Sequence, residues 1–96
     1  MMDSCEIENR LRSLKPILKS KYLVKKIGYF GSYAKNDQSE GSDLDILVEI
    51  DHNIGWKFFD ISTFLEEQLG IRIDLVTKDS LKAQIKDSIL SDVKYV

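Results

Sequence analysis

Asp43 and Asp45 flank a single apolar residue, Leu44, and open the apolar run Ile46-Leu47-Val48. On a strand, side chains two residues apart point to the same face, with Cα atoms roughly 6.5–7 Å apart. Two carboxylates so placed repel each other unless a cation sits between them, and packing a core gives no reason for them. A third acid, Asp74, interrupts the apolar stretch Ile73-Leu75-Val76, although aspartate is disfavoured inside strands. If its strand lies beside the one carrying Asp43 and Asp45, the three acids form a cluster suited to two cations about 3.5–4 Å apart. Oxygen donors without a Cys or His cluster select Mg²⁺ or Mn²⁺ over zinc. The bland alternatives are solvated strand ends for Asp43 and Asp45, and for Asp74 an edge-strand charge or the partner of Arg72.

Ten residues separate the pair Gly31-Ser32 from Asp43. Gly31 lacks a Cβ, so the backbone there can approach a ligand and adopt angles other residues avoid. Ser32 adds a hydroxyl and an N–H at an expected helix N-terminus, where unpaired amides favour phosphate. Alone the pair marks a turn; beside a two-carboxylate site it is equipment for moving a phosphate-linked group.

The elements that must position these residues follow from periodicity. Ile7, Leu11, Leu14 and Leu18 recur at helical spacing, predicting an amphipathic helix over 4–21, kinked or split at Pro16. A strand is predicted from Leu23 to Phe30, a short helical turn after Gly31, a polar loop over 36–42 and a second strand from Asp43 to Ile50. A connector follows over 51–55, in which His52 reads as solvated. A helix is predicted over 56–69, stopped by Gly70, with Trp56, Phe58 and Phe59 mostly in the core and part of its first turn open to a partner. Ile71 to Thr77 is the third strand. Thr77 or Asp79 is expected to cap a last helix in which Leu81, Ile85 and Ile89 repeat. The tail Val93-Lys94-Tyr95-Val96 alternates and is expected to end extended. The predicted class is α+β, in the order α-β-α-β-α-β-α, with a sheet of three or more strands packed against helices.

At 96 residues the chain holds one domain, spanning 1–96. Its 43% hydrophobic and 31% charged residues describe an ordinary globular protein. The net charge of −2 supplies no basic footprint, so direct nucleic-acid binding is not expected. A single cysteine, Cys5, excludes an internal disulfide, and no apolar run reaches membrane-spanning length. A cytoplasmic, membrane-free setting is the expectation.

Taken together, Gly31-Ser32, Asp43-x-Asp45 and Asp74 resemble the signature of the nucleotidyltransferase superfamily of DNA polymerase beta and kanamycin nucleotidyltransferase. More closely, Gly31-Ser32-Tyr33-Ala34, Ser42-Asp43-Leu44-Asp45-Ile46-Leu47-Val48, Ile73-Asp74-Leu75-Val76-Thr77 and the ending Tyr95-Val96 are similar to minimal nucleotidyltransferase (MNT) domains over residues 5–96. The resemblance implies a nucleotidyltransferase fold and an enzyme using ATP with Mg²⁺, in a two-metal site. By position, Gly31 and Ser32 would hold the β/γ-phosphates, Asp43 and Asp45 would coordinate Mg²⁺, and Asp74 would ligate metal and activate the acceptor hydroxyl. The residue after Ala34 is commonly Arg in the family. Here it is Lys35, which can neutralise phosphate as a point charge but cannot make the bidentate fork.

Family members typically act as antitoxins encoded beside a HEPN-family ribonuclease toxin, some transferring AMP to a toxin tyrosine. The implied activity is therefore a protein adenylyltransferase antitoxin in a hetero-oligomer with its toxin. The rival readings are a module that neutralises its partner by contact alone, and a small-molecule nucleotidyltransferase, which would need a further domain to enclose its substrate.

Overall fold

The computed structural model describes residues 2–50 and 57–96. His52 and Trp56 lie outside the described residues. The elements are α1 (Ser4–Tyr22), β1 (Val24–Phe30), α2 (Ser32–Lys35), β2 (Leu44–Ile50), α3 (Lys57–Leu69), β3 (Ile73–Thr77), a 3-10 turn (Lys78–Ser80), α4 (Ala83–Asp92) and β4 (Lys94–Tyr95). The strands form one mixed sheet in the order β3-β2-β1-β4. Strand β1 runs antiparallel to β2 and β4, whereas β2 and β3 are parallel. A parallel pair needs a crossover, and α3 provides it.

α1 begins where the Asp3 carboxylate accepts a hydrogen bond from the Glu6 amide at 2.8 Å, satisfying a first-turn donor. Its buried stripe is Ile7, Leu11, Leu14, Leu18 and Tyr22, and Lys19 and Lys21 sit in the last turn, where the helix dipole favours cations. Of the kink or split expected at Pro16, the split does not occur: the helix runs through it in one piece. Proline removes the N–H that would bond the Arg12 carbonyl, but Pro16 and Arg12 are both exposed, so water can serve that carbonyl.

The core lies between α1, α3 and one face of the sheet. Val24, Ile27 and Tyr29 of β1, Leu44, Ile46 and Val48 of β2, and Ile73 and Leu75 of β3 meet Ile61, Leu65 and Leu69 of α3 and the α1 stripe. Of the aromatic residues expected inside, Phe58 packs against this core. Phe59, 62% exposed, instead lies edge-on to Phe58 at a centroid distance of 5.8 Å. The helix meets the core on its Ile61 side, one position further round.

The second face of the sheet carries the chemistry. Alternation places Gly28 and Phe30 of β1, Asp45, Leu47 and Glu49 of β2, and Asp74 and Val76 of β3 there, opposite the core residues. In register they form two cross-strand rows, Phe30-Asp45-Asp74 and Gly28-Leu47-Val76. The C-terminal segment crosses part of this face. A Cβ on Gly28 would lie 2.6 Å from Val93 Cγ1 and 2.9 Å from the Lys94 carbonyl oxygen, so only glycine lets the chain pass so close. The alternating tail becomes β4, pairing Gly28 with Tyr95 and Tyr29 with Lys94. The Tyr95 hydroxyl donates to Glu49 at 2.9 Å.

Thr77 caps the 3-10 turn rather than the last helix. The Ser80 hydroxyl donates to the Thr77 carbonyl at 2.9 Å and accepts from the Thr77 amide at 3.3 Å, closing a single tight turn that ends at an extended Leu81. α4 therefore starts at Ala83, with Leu81 outside it. None of its residues is buried, and Ile85 is 47% exposed. The second face is thus only partly roofed, which leaves its acids accessible.

Candidate active site

The sequence of β1 decides where the turn sits. The strand ends at Phe30, Gly31 reverses the chain at φ 72°, and α2 starts at Ser32. Gly31's carbonyl accepts from the amides of Ala34 and Lys35 at 3.1 and 3.2 Å, closing the single turn of α2. The amides of Ser32 and Tyr33 stand at the start of the helix, with no carbonyl one turn earlier to bond. Tyr33 and Ala34 are buried and anchor this turn to the body of the protein.

Asp45 lies directly beside the turn. A Cβ on Gly31 would overlap Oδ2 of Asp45 and sit 3.1 Å from its Cγ. The missing Cβ expected to admit a ligand is therefore taken up by the protein's own carboxylate. Asp45 is also the register partner of Asp74 on β3. Burial, then the charge and a hydrogen bond of Asp74, then the charge of Asp43 push the Asp45 carboxyl up from 3.8 to about 6. At neutral pH the Asp45–Asp74 pair is a concentration of negative charge.

Asp43 is placed differently. It precedes β2 rather than opening it, and its Oδ1 lies 3.4 Å from Nε of Arg72. The sequence offered Arg72 as a partner for Asp74; the structure pairs it with Asp43. Among the described residues, no three acid, histidine or cysteine side chains are gathered as they stand into a set able to hold a metal. Asp45 and Asp74 come together; Asp43 is adjacent and turned toward Arg72. Lys35, at the end of α2, has its ammonium 3.8 Å from Asp92 of α4, with both side chains exposed. Between α2, the loop before β2 and the start of β3 lies a cavity of about 470 Å³, lined by Met2, Tyr33, Glu40, Gly41, Ser42, Ile71 and Arg72. Arg72 is the functional candidate that sequence reasoning undervalued. The signal was its spacing: two residues before Asp74, it shares Asp74's face.

The donor set fits a hard divalent cation. Two carboxylates crowd closely enough to share a hydrogen bond and hold a proton well above the usual carboxylate range, which is the electrostatic condition a cation relieves. Asp43 can join by leaving an ion pair whose partners are 50% and 80% exposed, a contact worth only about 0–1 kcal/mol.

A pH prediction follows from the raised Asp45 carboxyl. Its protonated form is favoured by folding, so its contribution to stability is full below pH 4 and is lost as pH rises through about 6. Without divalent cations, Asp45→Asn should be more stable than wild type at pH 7 by about 1–2 kcal/mol after allowing for solvent screening. Denaturant unfolding in a chelator at several pH values checks this. The gap should close toward pH 4, and a gap that does not change with pH contradicts the cause given.

Comparison with known proteins places the chain in a group. The nucleotidyltransferase domain family model matches residues 11–96. A candidate protein adenylyltransferase of Methanocaldococcus jannaschii is 50% identical over 93 residues, covering 95% of each chain. The protein adenylyltransferase MntA of Thermococcus cleftensis is 42% identical over 92 residues, covering 95% of this chain and 93% of its own. Among solved structures, a candidate minimal nucleotidyltransferase superposes with a TM-score of 0.83 at 24% identity, covering 97% of this chain and 95% of its own. A chain in the complex of tri-AMPylated Shewanella oneidensis HEPN toxin with its MNT antitoxin superposes at 0.64 with 20% identity, covering 92% and 68%. At those identities the solved structures share the fold.

Proposed function

We propose that this chain, which belongs to the nucleotidyltransferase domain family, is an antitoxin that transfers AMP from ATP to a hydroxyl, most simply a tyrosine, of a HEPN-family toxin. The observation that carries the reading is the register pairing of Asp45 with Asp74 beside the Gly31-Ser32 turn. Support for a protein acceptor comes from relatives named as protein adenylyltransferases that match over nearly their whole length. Support for a HEPN partner comes from the shared fold with the MNT–HEPN complex. ATP as the nucleotide agrees with a cytoplasmic site of action, and no helix among the described residues is long and apolar enough to cross a membrane.

Each residue has a task in this reading. Asp45 and Asp74, with Asp43 once it leaves Arg72, would hold Mg²⁺. Bound there, Mg²⁺ would neutralise the triphosphate and lower the pKa of the acceptor hydroxyl. The amides of Ser32 and Tyr33 and the Ser32 hydroxyl donate to the β- and γ-phosphate oxygens. Lys35 adds positive charge near the phosphates when it gives up Asp92. Asp74, on the edge strand and exposed, faces the acceptor and draws its proton. The acceptor oxygen attacks the α-phosphorus, the bond to the bridging oxygen breaks, and pyrophosphate leaves with its electron pair. Most of the rate enhancement is positioning and electrostatic stabilisation.

Incubation with its HEPN-family toxin, Mg²⁺ and ATP labelled at the α-phosphate tests the reading. Label on the toxin, lost when Mg²⁺ is chelated, is the expected result. A toxin silenced without gaining label would instead establish neutralisation by contact.

A further inference from the structure

Arg72 stands where the metal reading needs something to happen. It lies two residues before Asp74 and shares its face, and its guanidinium is 3.4 Å from the Asp43 carboxylate. Its backbone is fixed independently of its side chain, because the Arg72 carbonyl accepts from the Leu44 amide at 2.9 Å. That bond pins the start of β3 to the start of β2, so any side chain at position 72 projects from the same place. The ion pair itself is a single Nε–Oδ1 contact between side chains 80% and 50% exposed, the kind that exchanges readily. Arg72 also borders the 470 Å³ cavity, together with Glu40, which gives the guanidinium space to move without disturbing the core.

We propose that Arg72 is an exchangeable counter-ion for Asp43: it holds this carboxylate while the site lacks a cation, and a divalent ion must displace it to recruit Asp43. The inference rests on the metal-site reading above and goes beyond it by assigning a positioning role to a residue outside the acidic set. The guanidinium and the metal compete for one carboxylate, so Arg72 sets the cation concentration at which the full site assembles. Removing it frees Asp43. The cation should then bind more tightly, although a residue that merely stabilised the fold would have no such effect.

Mg²⁺ titrations of the full chain, read as the rise in Tm without nucleotide or partner, test this. In Arg72→Met the midpoint should fall roughly three- to fivefold relative to wild type, the upper end of what one exposed ion pair is worth. Arg72→Lys keeps the charge and should stay within about twofold of wild type. Because the role is exerted through Asp43, the same substitution should leave the midpoint unchanged in an Asp43→Asn background, titrated there with the tighter-binding Mn²⁺. A midpoint that is unchanged or raised in Arg72→Met overturns the proposal, as does an equal shift in the Asp43→Asn background. If wild type neither gains Tm from Mg²⁺ nor transfers AMP, the metal-site reading itself fails; if wild type responds and Arg72→Met matches it, only the counter-ion role falls.

Discussion

Asp45→Asn is expected to lower AMP transfer by 10²-fold or more, the scale seen when one preorganised stabilising group is lost from a reacting centre. The substitution keeps the shape of the side chain and changes its charge. Its position makes that change severe: Asp45 sits on a central strand, against Gly31 on one side and in register with Asp74 on the other. Loss through unfolding is separable, because the same variant should gain stability at neutral pH without cations. Asp43→Asn should fall in the same range, since Asp43 completes the ligand set, even though its side chain starts on Arg72. Label transfer from ATP to the toxin, with a thermal melt of each variant, decides the matter. Near-normal transfer by either would remove the proposed metal role.

Much of the fold was legible because its signals are local. The four-residue repeat of Ile7, Leu11, Leu14 and Leu18 marks α1, and the Ile46-Leu47-Val48 run marks a strand buried on both faces, as it is. The departures are places where a wider context outweighs a local rule. Pro16 does not break α1, since five buried side chains hold the helix on its other side. Ile85 keeps the spacing of a core residue, yet α4 roofs only part of a sheet face and leaves it exposed.

For the site, residue types and spacing raised a cluster of Asp43, Asp45 and Asp74 on condition that their strands are neighbours; the parallel register of β2 and β3 pairs Asp45 with Asp74, while Asp43 turns to Arg72. Side-chain partnerships between separate segments carry no periodic trace. That Arg72 faces Asp43, that Lys35 meets Asp92, and that Gly31 makes room for Asp45 all depend on how strands and helices are stacked.

Gly31→Ala carries the other large expected effect, and it separates two roles for glycine. At φ 72° and ψ −149° the backbone is in a region that only glycine adopts readily, so alanine there is strained by about 1–3 kcal/mol. The steric conflict is more selective. The new Cβ would overlap Asp45 Oδ2, a movable carboxylate oxygen, so the chain can accept it by turning the Asp45 side chain away. Transfer should then fall on the order of 10²-fold, as for direct loss of the carboxylate. The cation-free melt should fall by the backbone strain alone, and the Mg²⁺-dependent rise in Tm above that baseline should shrink. If glycine served only to let phosphate approach the backbone, Gly31→Ala would weaken ATP binding and leave the cation response intact. A Mg²⁺ titration of this variant without nucleotide distinguishes the two, and an undiminished Tm rise would show that Asp45 keeps its place when Gly31 gains a methyl group.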